Sequence, residues 1–403
     1  MKIIKRITAI LLCVIILIPS VMLWGNLSFI KSSVFSVYSV LRSGPDQLGS
    51  GLSKSAEEID KAASDYIGMH NSFVNIYGLT MRLCGSRLVN VGSRAVVKLD
   101  SGAIFEYTTD KEEIKKETQA AKSNAVRLAK LKEELDEQKI PLLFVLAPGK
   151  LDENNSGLPY NLENYPNTIA DNFLNELDKY GVEFIDLREV WRQNGWTRED
   201  GFYYSDLHWR PEYALRSWGY VTRYLNDNYG IENDPSTFDL NNQNLEKFDN
   251  VALGSTGRII GKYYTKIDGT ELFTPKFDTL FHVVNERLGW DKTGTLEETS
   301  VDRSTLNMGG IFYNDLISLY RVRDSVVENK MASNDANVVF IRDSFGGMLG
   351  GYAPLAFKNT SIVDLRTMNG KSVIPIIDGF DTDLVIVFYN VGMVSNESMF
   401  NFD

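Results

Sequence analysis

Apolar positions along the chain fall into three kinds of run, and their order predicts an alternating α/β protein. The first kind is unbroken and long: Ile7 to Trp24 covers 18 residues, interrupted only by Thr8, Pro19 and Ser20. The second kind recurs at helical spacing. It predicts helices over Ser55–Leu83 (Ile59, Ala62, Tyr66, Met69, Phe73, Ile76) and over Asp110–Lys139, where Ile114, Ala121, Val126, Leu128, Leu131 and Leu135 form a buried stripe. Two more helices are expected over Thr168–Tyr180 and over Pro211–Asn228, the latter on Tyr213, Leu215, Trp218, Val221 and Leu225. The third kind is continuous and of strand length: Ile140–Ala147, Val182–Leu187, Asn337–Ile341, Thr360–Leu365 and Leu384–Tyr389. Five such strands interleaved with helices imply a central, mostly parallel sheet buried on both faces.

Three stretches stand outside that alternation. Leu88–Phe105 predicts two short strands around Asp100-Ser-Gly. The block from about 231 to 336 is rich in Asn, Asp, Gly and Thr and reads as a large insertion of short strands. The N-terminal run follows Lys2, Lys5 and Arg6 and lies near the lower limit for crossing a hydrocarbon core of ~30 Å. An uncleaved anchor, with the rest of the chain extracytoplasmic by the positive-inside rule, is therefore expected; a cleaved signal peptide is the alternative. The expected organisation is an N-terminal membrane anchor at 1–25, a juxtamembrane linker with helical and short-strand structure at 26–109, and an α/β catalytic domain at 110–403 carrying the insertion.

At 403 residues, 43% of them hydrophobic, the chain is long enough for a full core. Its net charge of −11, with no strongly basic run, excludes a generic nucleic-acid surface. Two cysteines exclude a disulfide framework and a thiolate metal cluster. With three histidines and no carboxylate-rich cluster beside His208, no catalytic metal is expected, and no motif calls for a cofactor. The piece Gly254-Ser-Thr-Gly lacks the Gly-Lys-Ser/Thr ending of a phosphate loop. His282, in an apolar run, is read as a core residue.

Candidate chemistry gathers in Tyr203–Tyr213. Asp206 and His208 stand two positions apart where a helix begins, and Pro211 suits a first helical turn. A histidine at such a junction is free to reach a partner, and Asp206 is close enough to bond its other ring nitrogen. That is half of a triad. The nucleophile candidate is Ser344, at the carboxyl end of the Asn337–Ile341 strand, where functional residues of open α/β sheets collect. Gly346 and Gly347 permit close backbone approach, and a helix starting there would aim N–H groups at a developing oxyanion.

Asp343-Ser-Phe-Gly after a strand, together with Asp206-Leu-His-Trp, resembles the SGNH-hydrolase-like acetyltransferases, which include the alginate O-acetylation proteins and the family named for an Asp-His-His-Trp motif. The order also matches, the histidine motif preceding the serine motif. Pro148-Gly-Lys150, followed by Leu158-Pro-Tyr, is similar to a further turn of these relatives. Leu207 stands where one family has a second His, and Arg342 where esterases usually have Gly.

The resemblance implies an SGNH-hydrolase-like three-layer α/β fold, with Ser344 as nucleophile, His208 as general base and Asp206 as its orienting carboxylate. It implies Lys150, Trp209, Arg342, Gly346, Arg366 and Asn369 as candidates for holding substrate or oxyanion. It further implies an acetyltransferase acting on a polysaccharide acceptor at the cell surface, supplied with acetyl groups by a membrane-bound O-acyltransferase. A carbohydrate esterase with the same triad and a non-catalytic glycan-binding or export-complex scaffold are the alternatives.

Overall fold

The computed structural model describes residues 70–92, 94–154, 156–285, 289–303 and 324–402. The expected membrane segment lies outside the described residues. Among those residues no helix is long and apolar enough to cross a membrane. One helix, α1 (His70–Leu83), belongs to a first unit ending at Cys84; everything that follows concerns the second unit, Gly85–Asp403.

That unit begins with an antiparallel meander of β1 (Leu88–Val91), β2 (Arg94–Lys98) and β3 (Ile104–Tyr107), three strands where the pattern predicted two. The extra strand arises because the chain turns at Asp100-Ser-Gly and again near Gly92, whose φ of 63° favours glycine. Helix α2 (Lys111–Gln138) starts where the Asp110 carboxylate accepts the Glu112 N–H at 2.9 Å and stops where Lys139 turns left-handed at φ 62°. Then the alternation sets in: β4 (Leu142–Ala147), α3 (Tyr165–Lys179), β5 (Phe184–Asp186), α4 (Leu187–Gln193), α5 (Arg198–Gly201) and α6 (Pro211–Tyr229).

The inserted block supplies a long ribbon, β6 (Gln243–Ala252) and β7 (Asp268–Pro275), with helix α7 (Ser255–Ile260) between them. It also supplies β8 (Phe281–Asn285), β9 (Trp290–Gly294), α8 (Leu296–Ser300) and β10 (Val326–Asn329). The chain closes with β11 (Asn337–Arg342), the short helix α9 (Ser344–Gly347), β12 (Asn359–Val363), α10 (Ile374–Gly379) and β13 (Leu384–Asn390).

The central sheet has eight strands in the order β5-β4-β13-β11-β12-β10-β8-β9. The five predicted strands pair in parallel, with Ile341 opposite Val363 on one side and Val387 on the other. Three strands of the inserted block extend it antiparallel beyond β12. Side chains alternate across the parallel part. Leu142, Phe144 and Leu146 pack with α2 and α3, whereas Leu143, Val145 and Ala147 pack with α4 and α6. This makes a three-layer α/β sandwich, with β4 and β13 buried along their whole length. Each such Leu, Val, Ile or Phe stabilises the fold by roughly 1.5–3 kcal/mol. His282 is a correction: it lies on the outer side of β8, a third exposed, with Nε2 2.8 Å from an Asp291 carboxylate oxygen.

Candidate active site

Strand β11 ends in an aspartate that builds the turn after it. Asp343 is fully buried; one carboxylate oxygen accepts the Phe345 N–H (2.8 Å) and the Gly346 N–H (3.2 Å), capping α9. The other accepts the Asn390 N–H at 2.8 Å and the Asn390 side-chain amide. Burial pushes this carboxyl above the usual aspartate range, against the bonds from Asn390 and Gly346. Gly346 is required by close approach, since a Cβ there would lie 2.6 Å from the Arg342 Cβ. Ser344 is thereby set at the first helical position, half-buried, at the carboxyl edge of the sheet.

The expected oxyanion role of Gly346 is corrected by this arrangement. Its N–H and that of Phe345 are both taken up by Asp343, so the Ser344 N–H is the main-chain donor of this turn that no described residue accepts.

Asp206 and His208 meet as the motif suggested. The carboxylate accepts the His208 N–H at 2.9 Å and lies 2.6 Å from Nδ1, with both side chains buried. Burial opposes ionisation of Asp206, but the charge and bonds of His208, together with Lys150, hold its carboxyl below the usual range. With the Asp206 carboxylate on Nδ1, that nitrogen is the donor of the pair, and Nε2 is the ring nitrogen left open to a partner. Nε2 is buried and has no hydrogen-bond partner. The His208 ring packs 5.2 Å from the Phe345 ring, next to Ser344, yet the serine hydroxyl and Nε2 are not hydrogen-bonded. Such bonds are often long before substrate is present.

The other candidates sort by position. Lys150 is buried, and its ammonium donates to the Ile104 carbonyl (2.9 Å) and to the Asp206 carbonyl. Burial pulls its pKa down to about 8, against the pull of Asp268, Asp206 and Glu106. Trp209 is no sugar platform. It is fully buried, stacked at 14° on Trp191, and its indole N–H donates to the Phe345 carbonyl at 3.2 Å. Arg342 turns away from the serine to Asp364 (3.0 Å) and to the Asp343 carbonyl (3.3 Å). Arg366 pairs bidentately with the same Asp364, at 2.9 and 2.7 Å. Asn369 is exposed in the following turn at φ 53°. The structure therefore brings Asp206, His208, Lys150 and Trp209 around the Ser344 turn and leaves the side chains of Arg342, Arg366 and Asn369 elsewhere.

Sequence reasoning missed three supports. Asp268 accepts the N–H groups of Tyr204 and Ser205, Asn390 binds Asp343, and Gly254 lies against Asp206, where a Cβ would come 2.6 Å from the Asp206 Cα. The glycines of the 254–257 piece were a visible signal, but of close packing rather than phosphate binding. Beside the serine turn a cavity of about 450 Å³ is lined by Lys150, Leu207, Thr256, Phe345, Asn390 and Glu106, among others. Its size suits a small-molecule or sugar site.

Similar folds are known. The structure of Bacillus cereus PatB1 matches with a TM-score of 0.60 at 22% identity, covering 77% of this chain and all of that one. PatB1 with a sulfonyl adduct matches at 0.59 and 21%, covering 78% and 99%. A DHHW family protein from Eubacterium siraeum DSM 15702 matches at 0.56 and 14%, covering 78% and 96%. These likenesses establish the fold. No curated protein matches the chain. Residues 105–254, which hold Lys150, Asp206, His208 and Gly254, match the family model described as the SGNH hydrolase-like domain of acetyltransferase AlgX. Over those residues the chain is similar to the SGNH hydrolase-like acetyltransferase domain, and its fold agrees with that likeness.

Proposed function

We propose that the protein transfers acetyl groups to hydroxyls of a cell-surface or exported polysaccharide through an acetyl-serine intermediate on Ser344. The observation that carries this reading is the buried Asp206–His208 pair, whose unpartnered Nε2 lies beside the turn that presents Ser344.

The chemistry follows from those groups. Nε2 takes the Ser344 proton as Oγ attacks the acyl carbon of the donor, and Asp206 stabilises the imidazolium without taking the proton itself. The donor's leaving oxygen departs with the proton held on Nε2. A sugar hydroxyl then gives its proton to Nε2 as its oxygen attacks the acetyl-serine, and Ser344 leaves with that proton. The Ser344 N–H is the main-chain donor available to the oxyanion. Two features support an extracytoplasmic protein fed by a membrane-bound O-acyltransferase: the basic flank and apolar run at the N-terminus, read as an anchor, and a domain whose relatives are acetyltransferases.

The test is a purified ectodomain incubated with a chromogenic acetyl ester, with and without oligosaccharide acceptors, following acetate and acetylated sugar by mass spectrometry. Acetyl-sugar that disappears in Ser344→Ala and His208→Ala is the expected result. Acetate alone, whatever acceptor is offered, supports the esterase; products unchanged in both variants sink the triad. A sulfonyl fluoride labelling Ser344, and failing to label it in His208→Ala, gives an independent check on the nucleophile.

A further inference from the structure

We propose that Asp268, the first residue of β7 in the inserted ribbon, is a positioning residue for the Asp206–His208 pair. The inference rests on the triad reading above and extends it to a part of the chain that carries none of the recognised motifs. Asp268 is 2% exposed, and both of its oxygens are spent on the two residues just before Asp206. One accepts the Tyr204 N–H at 2.6 Å; the other accepts the Ser205 N–H at 2.7 Å and the Ser205 hydroxyl at 2.5 Å.

The rest of that loop is fixed from elsewhere. The Tyr204 carbonyl accepts the Ile104 N–H (2.9 Å), the Ser205 carbonyl accepts the Gly257 N–H (2.8 Å), and the Asp206 carbonyl accepts from Lys150. The Ser205 hydroxyl oxygen accepts the Gly254 N–H at 2.9 Å, which holds the 254–257 turn against the Asp206 side chain. The backbone leading to His208 is thus pinned by β3, by the turn after β4, by α7 and by β7. Asp268 supplies two of those backbone bonds and holds the Ser205 hydroxyl with a third.

Only a carboxylate fits the role. Three donors converge on two oxygens, and an Asn would turn an N–H donor toward N–H groups. The charge is also matched, since the buried Lys150 ammonium, held on the Ile104 and Asp206 carbonyls, is attracted by the Asp268, Asp206 and Glu106 carboxylates. Releasing the 204–206 loop would let Asp206 drift from Nδ1, and a misplacement of about 1 Å at such a site costs about 10²-fold in rate.

The experiment compares the full chain with its Asp268→Asn and Ser205→Ala variants by two readouts: kcat and KM for a chromogenic acetyl ester, and the low-field proton resonance of the Asp206–His208 hydrogen bond. Asp268→Asn should lower kcat by about 10²-fold with KM nearly unchanged and should shift or abolish the low-field resonance. Ser205→Ala, which removes the hydroxyl's bond to Asp268 and its bond from the Gly254 N–H, should do the same to a smaller degree and carries the test should Asp268→Asn fail to fold. Full kcat with an unmoved resonance in the variants overturns the proposal, and so does a fall in kcat with the resonance intact. The resonance needs no turnover, so a Ser344→Ala variant that stays active would overturn the functional reading while leaving this result to stand or fall alone.

Discussion

The indole N–H of Trp209 donates to the carbonyl of Phe345 at 3.2 Å. The residue after the candidate base therefore holds the residue after the candidate nucleophile, and the two halves of the site share one buried strut. The stack of Trp209 on Trp191 and its packing against Phe345 and Phe388 fix the indole plane.

Trp209→Phe keeps an aromatic ring but removes the indole donor, leaving the Phe345 carbonyl with the Met348 N–H alone, and opens a void. The expected loss is about 3 kcal/mol of stability by denaturant unfolding. Because the strut sets the His208-to-Ser344 spacing, kcat for an acetyl ester should fall about tenfold, equivalent to about 1.4 kcal/mol of barrier. Unchanged kcat would show that the strut serves the core alone.

Gly254→Ala places a methyl group 2.6 Å from the Asp206 Cα. The helix starting at Ser255 must move or Asp206 must, and overpacking of this sort costs about 1–3 kcal/mol. The variant should fold with a lowered melting temperature and lose far more activity than its stability change explains. Comparison with Gly181→Ala, at a glycine with nothing within 4 Å but a φ of 63°, separates steric pressure on Asp206 from backbone strain.

Asp343→Ala removes the acceptor of four donors: the N–H groups of Phe345, Gly346 and Asn390, and the Asn390 amide. Each buried donor left unmade costs about 1–3 kcal/mol, so the variant should lose at least about 4 kcal/mol and approach the whole stability of a domain. Asp343→Asn retains one accepting oxygen and should fall between parent and Asp343→Ala in chemical denaturation.

Lys150 makes stability depend on alkaline pH. Its pKa is about 8 in the fold against 10.5 unperturbed, so between those values the unfolded chain binds more protons and the lysine's contribution to stability rises with pH. The stability of the parent minus that of Lys150→Met should grow from pH 8 upward by at most about 1.4 kcal/mol per unit and level off near 10.5. A difference that shrinks over this window would mean that the fold raises the lysine's pKa instead.

The parallel half of the sheet was legible because its strands are continuous apolar runs, as in Leu384–Asn390, where every residue is buried. The antiparallel half was not. Strand β9 reads Trp-Asp-Lys-Thr-Gly, with no residue fully buried, so its hydropathy carries no strand signal. At the candidate site, the contact of Asp206 with His208 and the place of Ser344 at a strand's end could be read, because residue type and local spacing declare them. Asp268 and Gly254 could not, since their roles arise from contacts with residues 63 and 49 positions away. The expectation for Arg342 failed for a related reason: its position beside the serine is local, but its alternation on β11 sends the side chain toward Asp364.

The bonds that assemble the site join residues 46, 56, 63 and 136 positions apart. No short fragment contains them, and each requires closing a long loop before any contact rewards it. Catalytic competence is therefore a property of the completed topology. During refolding, helical signal from α2 and α6 should return first, and activity toward an acetyl ester only once the longest closure, Trp209 to Phe345, is made, so that activity reports a late folding event.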